Sequence, residues 1–172
     1  MTAAKFPHDK FDDLLAANQE YQNTFKYSDL TGVAKRGLAI VTCMDSRINP
    51  LSVVGMRSGD AKILRNAGAR VTEDVLRTLV LGTYLLGVDR ILIMPHTDCR
   101  MAKSEEYEIH QLIDEEFGVD TRSLEFRTVT DQKRALAVDV QRVRSYPLIR
   151  KGVSVAGAIY DVANGSITPI DC

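Results

Sequence analysis

The chain predicts an α/β fold in three layers, a mainly parallel sheet of about four strands plus an antiparallel edge strand or hairpin. Two observations carry this reading. Short apolar runs, too brief for free-standing helices, alternate with longer segments of helical periodicity, which implies right-handed crossovers between parallel strands. The last two apolar runs break the alternation, because they are joined through Asn164-Gly165, a hairpin signal.

From the N-terminus, Asp9 to Tyr27 carries Phe11, Leu14, Leu15 and Tyr21 at helical spacing, and reads as an amphipathic arm that packs on the domain or on a neighbouring subunit. Leu38 to Met44 is the first buried strand, and Ala61-Lys62-Ile63-Leu64-Arg65 the second, followed by the turn-like Asn66-Ala67-Gly68. Val71 to Leu86 is a helix. Thr72 caps it, Glu73 and Asp74 suit the positive end of its dipole, and Gly87 stops it. Arg90 to Pro95 is the third strand. Ser104 to Phe117 is a helix ended by Gly118, and Asp131 to Tyr146 another, ended before Pro147. Val153 to Val162 and Ser166 to Ile170 form the terminal hairpin. No repeat or linker interrupts the chain, so residues 1–172 are expected to make one domain, with 1–30 as its helical arm.

Composition narrows the partners. A net charge of -1 argues against nucleic acid or an anionic membrane surface. No apolar stretch approaches a membrane span, and residues 1–10 lack the apolar core of a signal peptide. The three cysteines, Cys43, Cys99 and Cys172, are too few and odd in number for a disulfide framework, which points to metal binding or burial in a cytoplasmic protein.

Two strand ends carry the chemistry. The first apolar run stops at Cys43-Met44-Asp45-Ser46-Arg47, and the third at His96-Thr97-Asp98-Cys99. In parallel α/β sheets, sites form at the carboxyl ends of strands. A His-x-x-Cys step lets one turn present two ligands to one ion, and thiolate with imidazole selects zinc. Taken alone, Cys43 reads as a small buried hydrophobe and His96 as a hydrogen-bonded core residue. Together, Cys43, His96 and Cys99 read as ligands of one zinc ion per subunit. Three protein ligands leave a position open, as catalytic zinc requires. Asp45, His8, His110 and Cys172 stay open as a fourth. Asp45 and Arg47 read either as a surface ion pair or as a carboxylate beside zinc-bound water, held ionised by a planar guanidinium. Their place directly after a ligand favours the second.

On these residues the chain resembles the β-class carbonic anhydrases. That family's pattern is Cys-x-Asp-x-Arg, then Arg-Asn-Ala-Gly, then His-x-x-Cys, here Cys43 to Arg47, Arg65-Asn66-Ala67-Gly68 and His96 to Cys99. The likeness runs from about Leu38 to Met101, and the terminal hairpin resembles the family's short bacterial branch, which includes carbonyl sulfide hydrolase-like members. The resemblance implies a zinc lyase, a carbonate dehydratase that hydrates CO2 reversibly to bicarbonate by zinc-bound hydroxide. It assigns Cys43, His96 and Cys99 to the metal, Asp45 and Arg47 to catalysis, and backbone donors near Gly68 and Arg100 to substrate. It also implies a homodimer or dimer of dimers clasped by the N-terminal helix, and a closed form with Asp45 on zinc. His110 is the one side chain offered as a proton shuttle, against a plainer place on a solvated helix face.

The chain departs from the family in three places. Arg100 stands where a glycine usually follows the last ligand, Lys62 where longer members carry a bulky aromatic, and there is no tryptophan. Arg100 and Lys62 motivate an alternative on the same scaffold, hydrolysis of carbonyl sulfide with release of hydrogen sulfide. A non-catalytic zinc-binding module, closed by Asp45 or Cys172, is a third reading. Nucleotide binding is not signalled, since the chain has neither a Gly-x-Gly-x-x-Gly turn after a strand nor a phosphate-binding Gly-x-x-x-x-Gly-Lys loop.

Overall fold

Five strands form one sheet in the computed structural model, which describes residues 5–172. They are β1 (Leu38–Cys43), β2 (Ala61–Asn66), β3 (Arg90–Met94), β4 (Ser154–Tyr160) and β5 (Ile167–Ile170). Their order is β2-β1-β3-β4-β5. The first four run parallel, and β5 pairs antiparallel with β4, placing Gly157 opposite Ile170 and Tyr160 opposite Ile167. The expected mixed sheet is therefore the observed one. Residues 32–172 form one unit, and the residues up to Thr31 another.

Strand β1 lies between two parallel neighbours, so all six of its residues are buried. Side chains alternate across it. Ala39 and Val41 join Ile91, Ile93 and Val155 in a core sealed by α3 (Glu73–Leu85), through Val75, Leu76 and Leu79, and by α5 (Gln132–Arg144), through Leu136, Val140 and Val143. Leu38, Ile40 and Met94 face the opposite core, with Val53, Met56, Phe126 and Val162 packed against it. Ile40 is wholly buried, a burial that contributes about 2–3 kcal/mol. Gly157 lets α5 approach the sheet, since a Cβ there would lie 3.0 Å from the Leu136 side chain.

Local capping starts each of the three long helices after the sheet's first strand slightly inside its expected first residue, while the expected end at Phe117 is the observed one. The Thr72 hydroxyl accepts from Val75 N, so α3 starts at Glu73. The Glu108 carboxylate accepts from Glu105 N, and α4 (Glu106–Phe117) starts after it and ends at left-handed Gly118. Asp131 accepts from Arg134 N and begins α5. One short helix was not expected: α2 (Pro50–Val53), whose cap Asn49 accepts from Ser52 N.

The first unit is built on α1 (His8–Thr24), with His8 and Asp12 paired one turn apart and Gln22 donating to Asn18. It buries none of its residues. Phe11, Leu14, Leu15 and Tyr21 are all exposed. Phe6 meets His8 edge to face and Phe11 at a tilt, and Phe25 meets Tyr21 and Tyr27 edge to face. No helix among the described residues is long and apolar enough to cross a membrane.

Candidate metal centre

The parallel register brings the two strand ends together. Thr42 pairs with Met94, so Cys43 at the end of β1 lies beside the segment leaving β3. That segment is pinned from its other side by β4: Tyr160 N donates to Pro95 O, and Thr97 N to Tyr160 O, each at 2.9 Å. The Gln132 amide donates to His96 O at 2.6 Å. Cys43, His96 and Cys99 are all buried, and one ligand atom from each lies within 4.8 Å of the others.

These residues pass a geometric test for a metal. Tetrahedral coordination with metal–sulfur bonds of about 2.3 Å separates two sulfurs by about 3.8 Å. Cys43 Sγ and Cys99 Sγ are 3.9 Å apart. His96 Nδ1 lies 2.8 Å from Thr97 O. A carbonyl only accepts, so Nδ1 carries the proton and Nε2 keeps a bare lone pair. Nε2 is fully buried and has no hydrogen-bond partner among the described residues. An orphaned buried nitrogen beside two sulfurs is a site that could hold a metal ion.

The sulfurs differ in charge. The hydrogen bond between the two sulfurs pulls the Cys43 thiol below the ordinary thiol range, against its burial, and pushes Cys99 above it. Gly68 N also donates to Cys43 Sγ, at 3.4 Å. Cys43, which takes this second donor, is the sulfur shifted toward the thiolate. Burial opposes charge on His96, but the neighbouring Cys43 thiolate leaves its pKa above the ordinary imidazole value.

Asp45 and Arg47 form a bidentate fork. Asp45 Oδ1 accepts from Arg47 N and Nε at 2.9 Å, and Oδ2 from Nη2 at 2.7 Å. These bonds hold the Asp45 carboxyl far below the usual range and raise Arg47 in turn. Asp45 Oδ2 is 3.8 Å from His96 Nε2. Asp98, which the sequence reading left without a role, binds Arg47 from the other side and is itself bound by Lys103. Those two cations, Lys103 first, hold its carboxyl to about 2.

The Arg-Asn-Ala-Gly segment builds the wall. Arg65 clamps the backbone of the first motif, with Nε to Cys43 O at 2.9 Å and Nη2 to Asp45 O at 2.6 Å. Asn66 closes the turn by exchanging two bonds with the Arg70 backbone. Gly68 has φ 78°, and a Cβ there would sit 3.2 Å from Met101 Cβ and Cγ, so glycine is required. Arg70 anchors this turn to α5 through a largely buried 2.7 Å pair with Asp139.

The sequence candidates thus separate. Asp45, Arg47 and Arg100 border one open hollow with Cys43, Cys99, Met44 and Met101. The Gly68 amide, expected to face substrate, is directed at the Cys43 sulfur. Arg100 opens a 3-10 turn, Arg100–Ala102, whose backbone needs no glycine, and its guanidinium donates to Ser104 Oγ. His110 binds Thr121 and rests on Phe126, and Cys172 is exposed with its thiol on Ile170 O. His8 pairs with Asp12. None of these three belongs to the metal-competent group. Asp98, Lys103 and Gln132 were missed. Asp98 alone carried a signal, as the charged residue set between two ligands.

Comparison with known proteins points to one family. A family model described as carbonic anhydrase matches residues 38–167. The β-carbonic anhydrase 1 of Mycobacterium tuberculosis is 34% identical over 160 residues, covering 92% of this chain and 96% of that protein. A carbon disulfide hydrolase of Acidithiobacillus thiooxidans is 29% identical over 154 residues, 78% of this chain and 77% of the relative. The crystal structure of a Streptococcus mutans carbonic anhydrase superposes with a TM-score of 0.88 at 35% identity, covering 98% of this chain and all of that one.

Proposed function

We propose, for a chain that belongs to the carbonic anhydrase family in its β class, the reversible hydration of CO2 to bicarbonate and a proton at a zinc ion held by Cys43, His96 and Cys99. One observation carries the reading: the bare, buried His96 Nε2 belongs to a group whose ligand atoms, with the Cys43 and Cys99 sulfurs, lie within 4.8 Å of one another, and it is 3.8 Å from Asp45 Oδ2. When bound, the ion supplies a Lewis acid that makes water a nucleophile near neutral pH. The Cys43 and Cys99 thiolates would offset the charge of the ion they hold, so bound water would ionise less readily than at a three-histidine site and activity should rise through mildly alkaline pH.

The remaining steps belong to the chain's own residues. Asp45 is kept ionised by Arg47 and so would serve as an acceptor: Oδ2, 3.8 Å from His96 Nε2, would take the hydrogen bond of the attacking water and aim its lone pair. Arg47 keeps that carboxylate turned. The Gly68 amide stabilises the Cys43 thiolate, and Arg100 borders the hollow where the developing oxyanion would sit. The unpaired thiols of Cys43 and Cys99 suit a reducing cytoplasm. The exposed apolar residues of α1 suit packing on a second copy, as a homodimer or a dimer of dimers.

A second reading is hydrolysis of a linear carbon–sulfur substrate such as carbonyl sulfide. It is favoured by the carbon disulfide hydrolase relative and by the Met44 and Met101 thioethers on the hollow. Purified protein of measured zinc content, assayed side by side on CO2, carbonyl sulfide and carbon disulfide, separates the two. The first reading expects CO2 turnover to dominate. Zinc-loaded protein inert to CO2 overturns it.

A further inference from the structure

Asp45 and Arg47 make a fork that the chain makes elsewhere without any site. On an exposed loop, Asp120 accepts from Arg122 N, Nε and Nη2 at 3.0, 2.9 and 2.6 Å. The corresponding distances at Asp45 and Arg47 are 2.9, 2.9 and 2.7 Å. Three consecutive residues therefore suffice to build the fork, and at the surface such a pair is worth little. It ties Arg47 to Asp45 and to nothing else. Both residues sit on the loop after β1, and the fork by itself makes no hydrogen bond to the loop carrying His96 and Cys99.

What distinguishes the fork at Arg47 is a second carboxylate from the other loop. Asp98, 51 residues further on, accepts from Arg47 Nη1 on Oδ2 at 2.8 Å and from Nη2 on its backbone carbonyl at 3.2 Å. Asp98 sits between His96 and Cys99. Its backbone is left-handed, φ 56°, a conformation that turns carbonyl and carboxylate to the same guanidinium and that Asp, Asn and Gly tolerate best. Lys103 Nζ holds the free oxygen, Oδ1, at 2.6 Å.

We propose that Asp98 is a positioning residue: it locks Arg47 to the loop carrying His96 and Cys99, and through Arg47 fixes Asp45 against them. The proposal rests on reading Asp45 and Arg47 as the catalytic pair. Four of the five guanidinium protons are committed, two to each carboxylate-bearing residue, so Arg47 bridges the loops as a rigid plate. Lys103 keeps Asp98 from turning away.

The test uses the zinc-loaded full chain with two substitutions. Asp98→Gly accepts φ 56° without strain and removes the carboxylate, while Asp98→Asn keeps an acceptor for Nη1. The direct readout is 15N relaxation of the Arg47 Nε–Hε group, assigned by its loss in Arg47→Lys. Arg122 Nε–Hε in the exposed fork serves as internal control. In Asp98→Gly the Arg47 order parameter should fall from about 0.85 to below about 0.6. With zinc content and KM for CO2 unchanged, kcat should fall about ten- to a hundredfold. Asp98→Asn should recover most of both, and Arg122 should not change. An Arg47 as rigid in Asp98→Gly as in the parent overturns the proposal, and so does a kcat loss that Asp98→Asn leaves unrelieved. A parent protein without CO2 turnover would remove the catalytic reading alone, because the order parameter still decides whether Asp98 holds Arg47.

Discussion

His96 Nδ1 donates to the carbonyl of its own neighbour, Thr97, at 2.8 Å. That one bond chooses the tautomer and aims the bare Nε2 at the Cys43 and Cys99 sulfurs. It also makes the site costly while no ion fills it, because a buried acceptor without a partner is destabilising by about 1–3 kcal/mol.

Metal removal should therefore cost stability as well as activity. Chelation is expected to lower Tm, and zinc at about a hundred times its Kd should return about 2.7 kcal/mol. Because Cys99 keeps its proton while Cys43 is shifted toward the thiolate, zinc uptake should release the Cys99 proton, and a second one where the bound water ionises. Calorimetry in buffers of different ionisation enthalpy reads this count. Release of no proton at pH 7 would mean that Cys99 is already a thiolate in the metal-free protein.

Asp45→Asn should retain fold and zinc but lose about a hundredfold or more in CO2 hydration, since an amide cannot replace the ionised acceptor. The non-catalytic reading expects the reverse, with zinc lost and the protein destabilised. Zinc analysis with stopped-flow hydration on one sample distinguishes them.

The pH dependence of stability has a definite sign. Asp45 and Asp120 are both depressed in the folded chain by their arginine forks. Each contributes stability that is present above the unfolded carboxyl value of about 3.9 and is lost as pH falls through the lower folded value. The Tm gap between the parent and Asp45→Asn should be constant from pH 6 to 8 and close toward pH 2. A gap that widens on acidification contradicts the assignment.

Gly68→Ala should destabilise by about 2 kcal/mol, from left-handed backbone and contact with Met101 together. Gly55→Ala provides the comparison, having φ +64° but no atom within 4 Å of the added Cβ. Equal losses at the two positions would leave the Met101 contact without effect. Chemical denaturation measures both.

Asp139→Ala should cost about 3 kcal/mol, because it leaves Arg70 charged and largely buried beneath the Gly68 turn. A loss below about 0.5 kcal/mol in urea unfolding would place this pair with the exposed ones.

Much of this was legible in the chain because it is local. Apolar runs and their breaks located each strand, and Thr72 and Gly118 marked helix ends by capping chemistry confined to a few residues. Cys43, His96 and Cys99 stood out because soft ligands directly follow buried strands. The α2 helix escaped notice because four residues carry almost no periodicity.

What the tertiary structure decided is everything that depends on strand register. Only the parallel pairing of β1 with β3 sets Cys43 3.9 Å from Cys99, and Asp98 against Arg47 across 51 residues. An Asp-x-Arg spacing reads the same at Asp45 and at Asp120. Which of the two forks faces a metal site is fixed by the loop that the fold lays beside it, because hydrogen bonds reach about 3 Å and sequence spacing does not measure that distance.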